Sequence, residues 1–316
     1  VGCIELARST YECSFRKSDA AQCRESSRKI GKLTQHLIMK FISSVILALV
    51  FTNASAQINR KDFTQYVNPF IGTAQTDTKS LSGSVFPGAC MPFGMVQLSP
   101  DVYDAPEDPA SAYNYKEKTI VGFSHTHLSG TGVGDLYDVL VQPLTGMPLW
   151  QPGDAAKPRS GYRSAFSHNK EKASPGYYTV RLDDYDTKVE LTATEHVGFH
   201  KYSFPKTDSA YVLFDLDHTL NKKRPYWVCK VVAAHMKQVD KYTIEGYRIL
   251  TGWARLRKVY FVAKFDKPIQ QSIFVMPPQK ENAGLIVFGK LTSRIYLLLT
   301  LKMCKLPAVN MNISCT

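Results

Sequence analysis

A period of two runs through the chain. Between residues 188 and 194, Val189, Leu191 and Ala193 alternate with Glu190, Thr192 and Thr194. That is the pattern of a strand with one face in a core and the other in water. The same alternation recurs at 177–182, 197–204, 210–216 and 259–265, and shorter apolar runs stand at 95–98, 120–123 and 139–141. Turn residues separate them at Pro152-Gly153, Pro175-Gly176, Pro205 and Pro268. No stretch keeps a long helical period. Many short, regularly spaced strands predict an all-β fold, a large antiparallel β-sandwich. Two stretches depart from this pattern. Residues 221–240 are basic and lose the alternation, and the chain after residue 290 contains no acid. Residues 295–301 are still apolar enough to pair as a strand.

Unusual chemistry is concentrated in 121–146, V-G-F-S-H-T-H-L-S-G-T-G-V-G-D-L-Y-D-V-L-V-Q-P-L-T-G. A strand, a glycine-rich loop and a second strand follow one another, an arrangement that often carries binding groups. His125 and His127 share a face if the strand continues through them. A metal would need further ligands, with Asp135, Asp138 and His168 as candidates. The other readings are hydrogen bonds to a sugar and pinning of the glycine loop, and the spacing selects none of the three. Upstream lie Asp101 and Tyr113-Asn114-Tyr115. Carboxylate and amide groups suit paired hydroxyls, and aromatic faces suit the apolar side of a sugar ring. Gly88, in the bend Phe86-Pro87-Gly88-Ala89, serves either as a turn residue or as a place for a ligand to approach the backbone. Asp215 and Asp217 form a carboxylate pair such as glycosidases use, although acids at a strand end also serve solubility.

Composition agrees with a globular protein, at 44% hydrophobic and 21% charged. The formal net charge of +12 raises a nucleic-acid reading, but its distribution argues against one. Residues 1–56 hold eight Lys or Arg against four acids, 221–258 ten against two, and 282–316 four against none. The clusters Lys222-Lys223-Arg224 and 255–258 come with no nucleic-acid-binding motif and read as solvated surface. Cys3, Cys13 and Cys23 lack partners for a zinc pattern, and the remaining cysteines give no disulfide framework. From Met39 the chain reads as a secretory leader, with Lys40, an apolar run at 41–51 and Ala54-Ser55-Ala56 as cleavage site. The run is too short to span a membrane. The expected organisation is therefore 1–38 as an upstream artefact, 39–56 as signal peptide, 57–289 as the sandwich and 290–316 as an aberrant, truncated tail.

F-P-G-A-C-M-P-F-G-M-V-Q-L-S-P-D at 86–101 and F-S-H-T-H-L-S-G-T-G at 123–132 resemble glycoside hydrolase family 92, the calcium-dependent α-mannosidases. The resemblance runs from about 66 to 217 and returns at about 244–265, covering that family's N-terminal domain; its helical domain has no counterpart. It implies a β-sandwich and an exported enzyme hydrolysing mannose-containing glycans, such as N-glycan α-1,2-mannosides, with inversion. It also implies a calcium ion that helps distort the sugar, and an acid and base supplied by the helical domain. On that reading Gly88, Asp101, Asn114, Tyr115, His125 and His127 face the sugar or shape its pocket, and none is a calcium ligand. A tryptophan frequent in the family near 105–112 is missing. The expectation is an inactive fragment, with a stand-alone carbohydrate-binding module as the rival.

Overall fold

The computed structural model describes residues 35, 38–44, 62–74, 84–102, 111–130, 134–157, 159–219, 229–275, 283–291 and 293–304. Two compact units divide the chain, Val1–Lys61 and Asp62–Thr316. In the first, residues 38–44 are helical and exposed. The early cysteines, the cleavage site at 54–56, the cluster at 222–224 and the chain after 304 lie outside the described residues, as does 105–110. No helix among the described residues is long and apolar enough to cross a membrane.

The second unit is built of antiparallel strands. In chain order they are β1 (Ala89–Cys90), β2 (Gln97–Asp101), β3 (Thr119–Ile120), β4 (Gly122–Ser124), β5 (Leu140–Thr145), β6 (Ser164–Ala165), β7 (Glu171–Ser174), β8 (Tyr177–Leu182) and β9 (Thr187–Ala193). There follow β10 (Val197–Ser203), β11 (Thr207–Asp215), β12 (Lys230–Gln238), β13 (Thr243–Thr251), β14 (Arg257–Phe265), β15 (Gln271–Val275), β16 (Ala283–Leu291) and β17 (Arg294–Cys304). A seven-stranded sheet has the order β1-β2-β4-β5-β11-β16-β15, and an eight-stranded sheet the order β12-β13-β14-β17-β10-β9-β8-β7. β3 and β6 form a small separate ladder.

The alternation predicts the faces. Along β9, Val189, Leu191 and Ala193 are buried while Lys188 and Thr192 are exposed. The inward faces of the two sheets meet in one apolar core. Phe214 of β11 stacks on Phe261 of β14 at 6.0 Å, and Phe265 meets Phe288 of β16 edge-on at 5.0 Å. Aromatic pairs of this kind add to the area they bury.

The described parts of both stretches that lack the alternation contain strands, β12 in the first and β17 in the second. β12 is an edge strand with a bulge between Val231 and Ala233; Met236 reaches the core, but most of its other side chains are wetted and the alternation fades. The stretch set apart as a tail after 289 needs a larger correction. β16 runs to Leu291, and β17 lies inside the eight-stranded sheet, paired to β14 on one side and β10 on the other. Leu297, Leu299 and Leu301 are buried, each contributing about 1.5–3 kcal/mol by leaving water. Without β17 the sheet would divide between β14 and β10. Leu299→Ala is therefore expected to destabilise the sandwich by about 2–5 kcal/mol, read as a lower urea midpoint. An unchanged midpoint would show β17 to be dispensable.

Candidate functional site

Polar groups gather where the ends of β2, β4, β11 and β13 meet the starts of β5 and β14. Asp101, the last residue of β2, has no exposed surface. Its two oxygens accept from His127 Nε2 at 2.7 Å and His218 Nε2 at 2.8 Å. His127 Nδ1 lies 2.7 Å from the Gln97 carbonyl, and Nε2 also lies 3.2 Å from the Ser124 hydroxyl, so the ring is held at both nitrogens. Burial pushes the Asp101 carboxyl up, but the charge of His127 and the hydrogen bonds from His127 and His218 outweigh it and hold the group at about 2. Phe86 packs against the His127 ring at 5.2 Å and Tyr137 meets it edge-on at 5.7 Å.

β4 ends at Ser124, so the two histidines are not strand residues, and they enter different networks. His125 Nδ1 donates to the Val139 carbonyl at 2.8 Å, which leaves Nε2 as an acceptor. His200 Nε2 donates to it at 2.9 Å, and His200 Nδ1 accepts from the Tyr202 hydroxyl at 2.8 Å. Each proton in this relay points the same way, and both imidazoles are neutral. Burial holds His125 down at about 4 and His200 well below its ordinary value. Gly198 makes room for this relay, because a Cβ there would stand 2.7 Å from His125 Cδ2.

Above these networks lies a strained loop. Leu136, Tyr137 and Val139 have φ of 86°, 52° and 56°, in the left-handed region that side chains disfavour. Ion pairs clamp the loop from the opposite sheet. Arg248 of β13 is fully buried, donates to the carbonyls of Tyr137 and His218 at 3.2 and 3.0 Å, and pairs with Asp138 at 3.4 Å. Arg257 of β14 bonds Asp135 at 3.1 Å and pairs with Asp138 at 3.5 Å. Asp135 also accepts from the Trp253 amide at 2.9 Å, and Gly252 leaves space for its carboxylate, which a Cβ would approach to 2.8 Å. The basic run at 255–258 is thus not wholly solvated surface: Arg257 belongs to this clamp. Burial and the Asp135 charge push the neighbouring Cys229 thiol up to about 12.

The other predicted site residues lie outside this cluster. Asn114 is buried in a turn, its Oδ1 accepting from the Lys116 amide at 3.0 Å. Tyr115 stacks on His168 at 3.9 Å, and His168 bonds Glu171, which also accepts from the Tyr113 and Tyr178 hydroxyls. Gly88 lies against β2, where a Cβ would come within 2.2 Å of the Leu98 carbonyl. This contact alone requires glycine there. Asp215 accepts from the Tyr162 hydroxyl and the Asp217 amide.

His200, His218, Arg248 and Arg257 escape a motif reading. Parity carried a signal for two of them: Gly198, His200 and Tyr202 occupy the inward positions of β10, and Arg248 stands between Ile244 and Leu250 on the inward face of β13. His218 reaches Asp101 across 117 residues, and no local pattern marks it.

A two-sheet sandwich that gathers buried charges beneath a strained loop defines a rigid scaffold with a preformed polar end. The chain belongs to glycosyl hydrolase family 92: the profile of that family's N-terminal domain matches residues 66–292. It is similar to the family GH92 α-mannosidase BT3965 of Bacteroides thetaiotaomicron, at 36% identity and a TM-score of 0.69, over 75% of this chain and 32% of that one. That enzyme has also been solved in complex with mannoimidazole. The inverting mannosidase BT2199 of the same organism shares the fold at 21% identity and a TM-score of 0.57, over 76% of this chain and 31% of that one. An uncharacterized secreted glycosidase of Arthroderma benhamiae is 29% identical over 178 residues, 54% of this chain and 21% of that protein. The chain therefore spans a third or less of the length of these relatives.

The relay sets a pH dependence. His125 and His200 bind a proton more readily when unfolded, where histidine titrates at about 6.5, than in the fold. Their stabilising contribution is full above that pH and is lost as pH falls, toward about 4 for His125. Asp101 adds a lower window: its contribution is present above the unfolded value of about 3.9 and is lost toward about 2. Urea midpoints should drop between about pH 7 and pH 4.5, and drop less in His200→Gln. An equal drop in the variant would remove the relay as the cause.

Proposed function

We propose that this chain is the N-terminal, sugar-site-forming domain of an exported α-mannosidase acting on mannose-containing glycans, N-glycan α-1,2-mannosides among them. The observation that carries this reading is the strained loop at 134–139, clamped by Arg248 and Arg257 over the Asp101–His127–His218 network. Strain of this kind persists only where surrounding contacts enforce it, and it clusters at ligand sites. Charged neighbours locked in place give a wall that does not reorganise when a sugar docks against it, and such positioning is a large part of catalysis.

The domain's work on this reading is to hold and orient. Inverting hydrolysis needs a proton donor and a base with room for water between them. The buried carboxylates among the described residues are engaged otherwise: Asp101 by two imidazoles, Asp135 by Arg257 and the Trp253 amide, Asp138 by Thr126, Arg248 and Arg257, Asp215 by Tyr162 and the Asp217 amide, Glu171 by two tyrosines and His168. The proposed source of the acid and base is the helical domain. Calcium belongs to the same proposal. Its ligands are expected mainly outside this chain; among the described residues no group of three His, Cys, Asp or Glu is placed to hold a metal.

The test is a fusion in which this chain replaces the N-terminal third of BT3965. Mannose release from α-1,2-mannobiose should exceed that of the remainder alone by about 100-fold, the scale of misplaced-substrate effects. Asp101→Asn in the fusion should lower kcat about tenfold or more, as lost positioning does. The isolated chain should release none. Release by the isolated chain would place the catalytic groups within it and overturn the assignment.

A further inference from the structure

We propose that the outer face of the eight-stranded sheet is a second, non-catalytic surface that binds an anionic polysaccharide. This face lies on the opposite side of β13 and β14 from the Asp101 network. Ile244, Arg248, Val259 and Phe261 point into the core, whereas Tyr247, Tyr260 and Val262 take the alternate, outward positions. A concave space of ≈ 530 Å³ opens there, over β12, β13, β14 and β17.

The lining is ordered across the strands. His235, Tyr247, Tyr260 and Lys302 are successive cross-strand partners and make one row. The rings of His235 and Tyr247 are 6.0 Å apart at 38°, and those of Tyr247 and Tyr260 are 5.9 Å apart at 48°. Neighbouring side chains on one face support one another in this way. The tilts make a curved aromatic platform, suited to the apolar faces of a twisting sugar chain. Beside it runs a second row of partners, Lys237, Glu245, Val262 and Thr300.

Charge selects the kind of chain. On these four strands the outward positions carry Lys230, Lys237, Lys258, Lys264, Arg294 and Lys302. On β12, β13, β14 and β17 the carboxylate among the described outward residues is Glu245, which Lys237 neutralises at 2.9 Å; Glu190 of β9, on the same face, is paired with Lys188 and Lys201. A cationic face with low-dielectric walls draws anions and weakens as salt screens it. Tyrosines among lysines also suit single-stranded nucleic acid. Membership of a carbohydrate-hydrolysing family favours a glycan, and to that extent the inference rests on the proposed function.

The test is affinity electrophoresis of the full chain against polygalacturonate, dextran sulfate, neutral mannan and a single-stranded DNA oligonucleotide. Polygalacturonate or dextran sulfate should retard it, the two separating carboxylate from sulfate recognition, and the retardation should fade with salt. Neutral mannan should not retard it. The double variant Tyr247→Ala, Tyr260→Ala keeps the charge and should weaken binding by about tenfold or more, the worth of lost stacking. Lys237→Glu with Lys302→Glu should abolish binding. Near-ultraviolet circular dichroism matching the parent identifies variants that keep the fold. Binding that survives the tyrosine changes would mean simple ion exchange and would overturn the proposal. So would tighter binding of DNA, equal binding of neutral mannan, or no retardation at all. The tyrosine variants should leave mannose release by the fusion unchanged, so failure here is separable from failure of the sugar-site reading.

Discussion

A carboxylate with no exposed surface must recover its lost hydration from neighbours, since burying a charge costs on the order of several kcal/mol. Asp101 recovers it from His127 and His218, which arrive from the β4–β5 loop and from beyond β11. Once those rings are fixed, their other contacts are fixed too. His127 ties to the Gln97 carbonyl, and the carbonyl of His218 receives Arg248 from the opposite sheet. Arg248 then needs its own counter-charge and takes Asp138, which Arg257 shares. Burial of one group thus propagates a chain of pairings through both sheets. Removing one partner strands the others, so the network holds its geometry more tightly than apolar packing of equal area would.

This coupling accounts for the strain. Three left-handed residues between Leu136 and Val139 would relax if the loop were free. They are held because Asp135, the Tyr137 carbonyl, Asp138 and the Val139 carbonyl are all engaged. The sandwich acts as a frame for one irregular loop, and its role in the proposed enzyme is to keep that loop still. The outer sheet face obeys a different physics, with solvated lysines around an aromatic row and little to hold it rigid beyond the strands themselves.

The fold was legible wherever a strand has one wet face. β9, β10 and β14 announce themselves by alternation, because one of their faces stays wetter than the other, whereas β8 and β11 carry runs buried on both faces. β12 was obscured by being an edge, and β17 by its bias in charge, although its leucines at 297, 299 and 301 follow the inward parity. The candidate site was legible in part. Asp101, His125 and His127 stood out as residue types, yet the condition for the histidines to share a face, a strand continuing through them, is not met because β4 ends before them. Their partners lie 75 to 117 residues away, at His200 and His218, and tertiary pairing at that range leaves no trace in local spacing. Arg248 left a parity signal, a cation on an apolar face, which is the kind of local conflict that marks a buried polar network.

Hydrogen exchange on the full chain and on Asp101→Asn measures the framing role most directly. The amides of Val121, His125 and Tyr137 bond the carbonyls of Asp101, Asp138 and Thr126, so they report on the network. The expected result is that these three lose protection in the variant while Phe199 and Val262, in the middle of the far sheet, keep theirs, as local opening requires. Unchanged protection at all three, with the variant folded, would contradict the claim that the buried carboxylate organises this end of the sandwich.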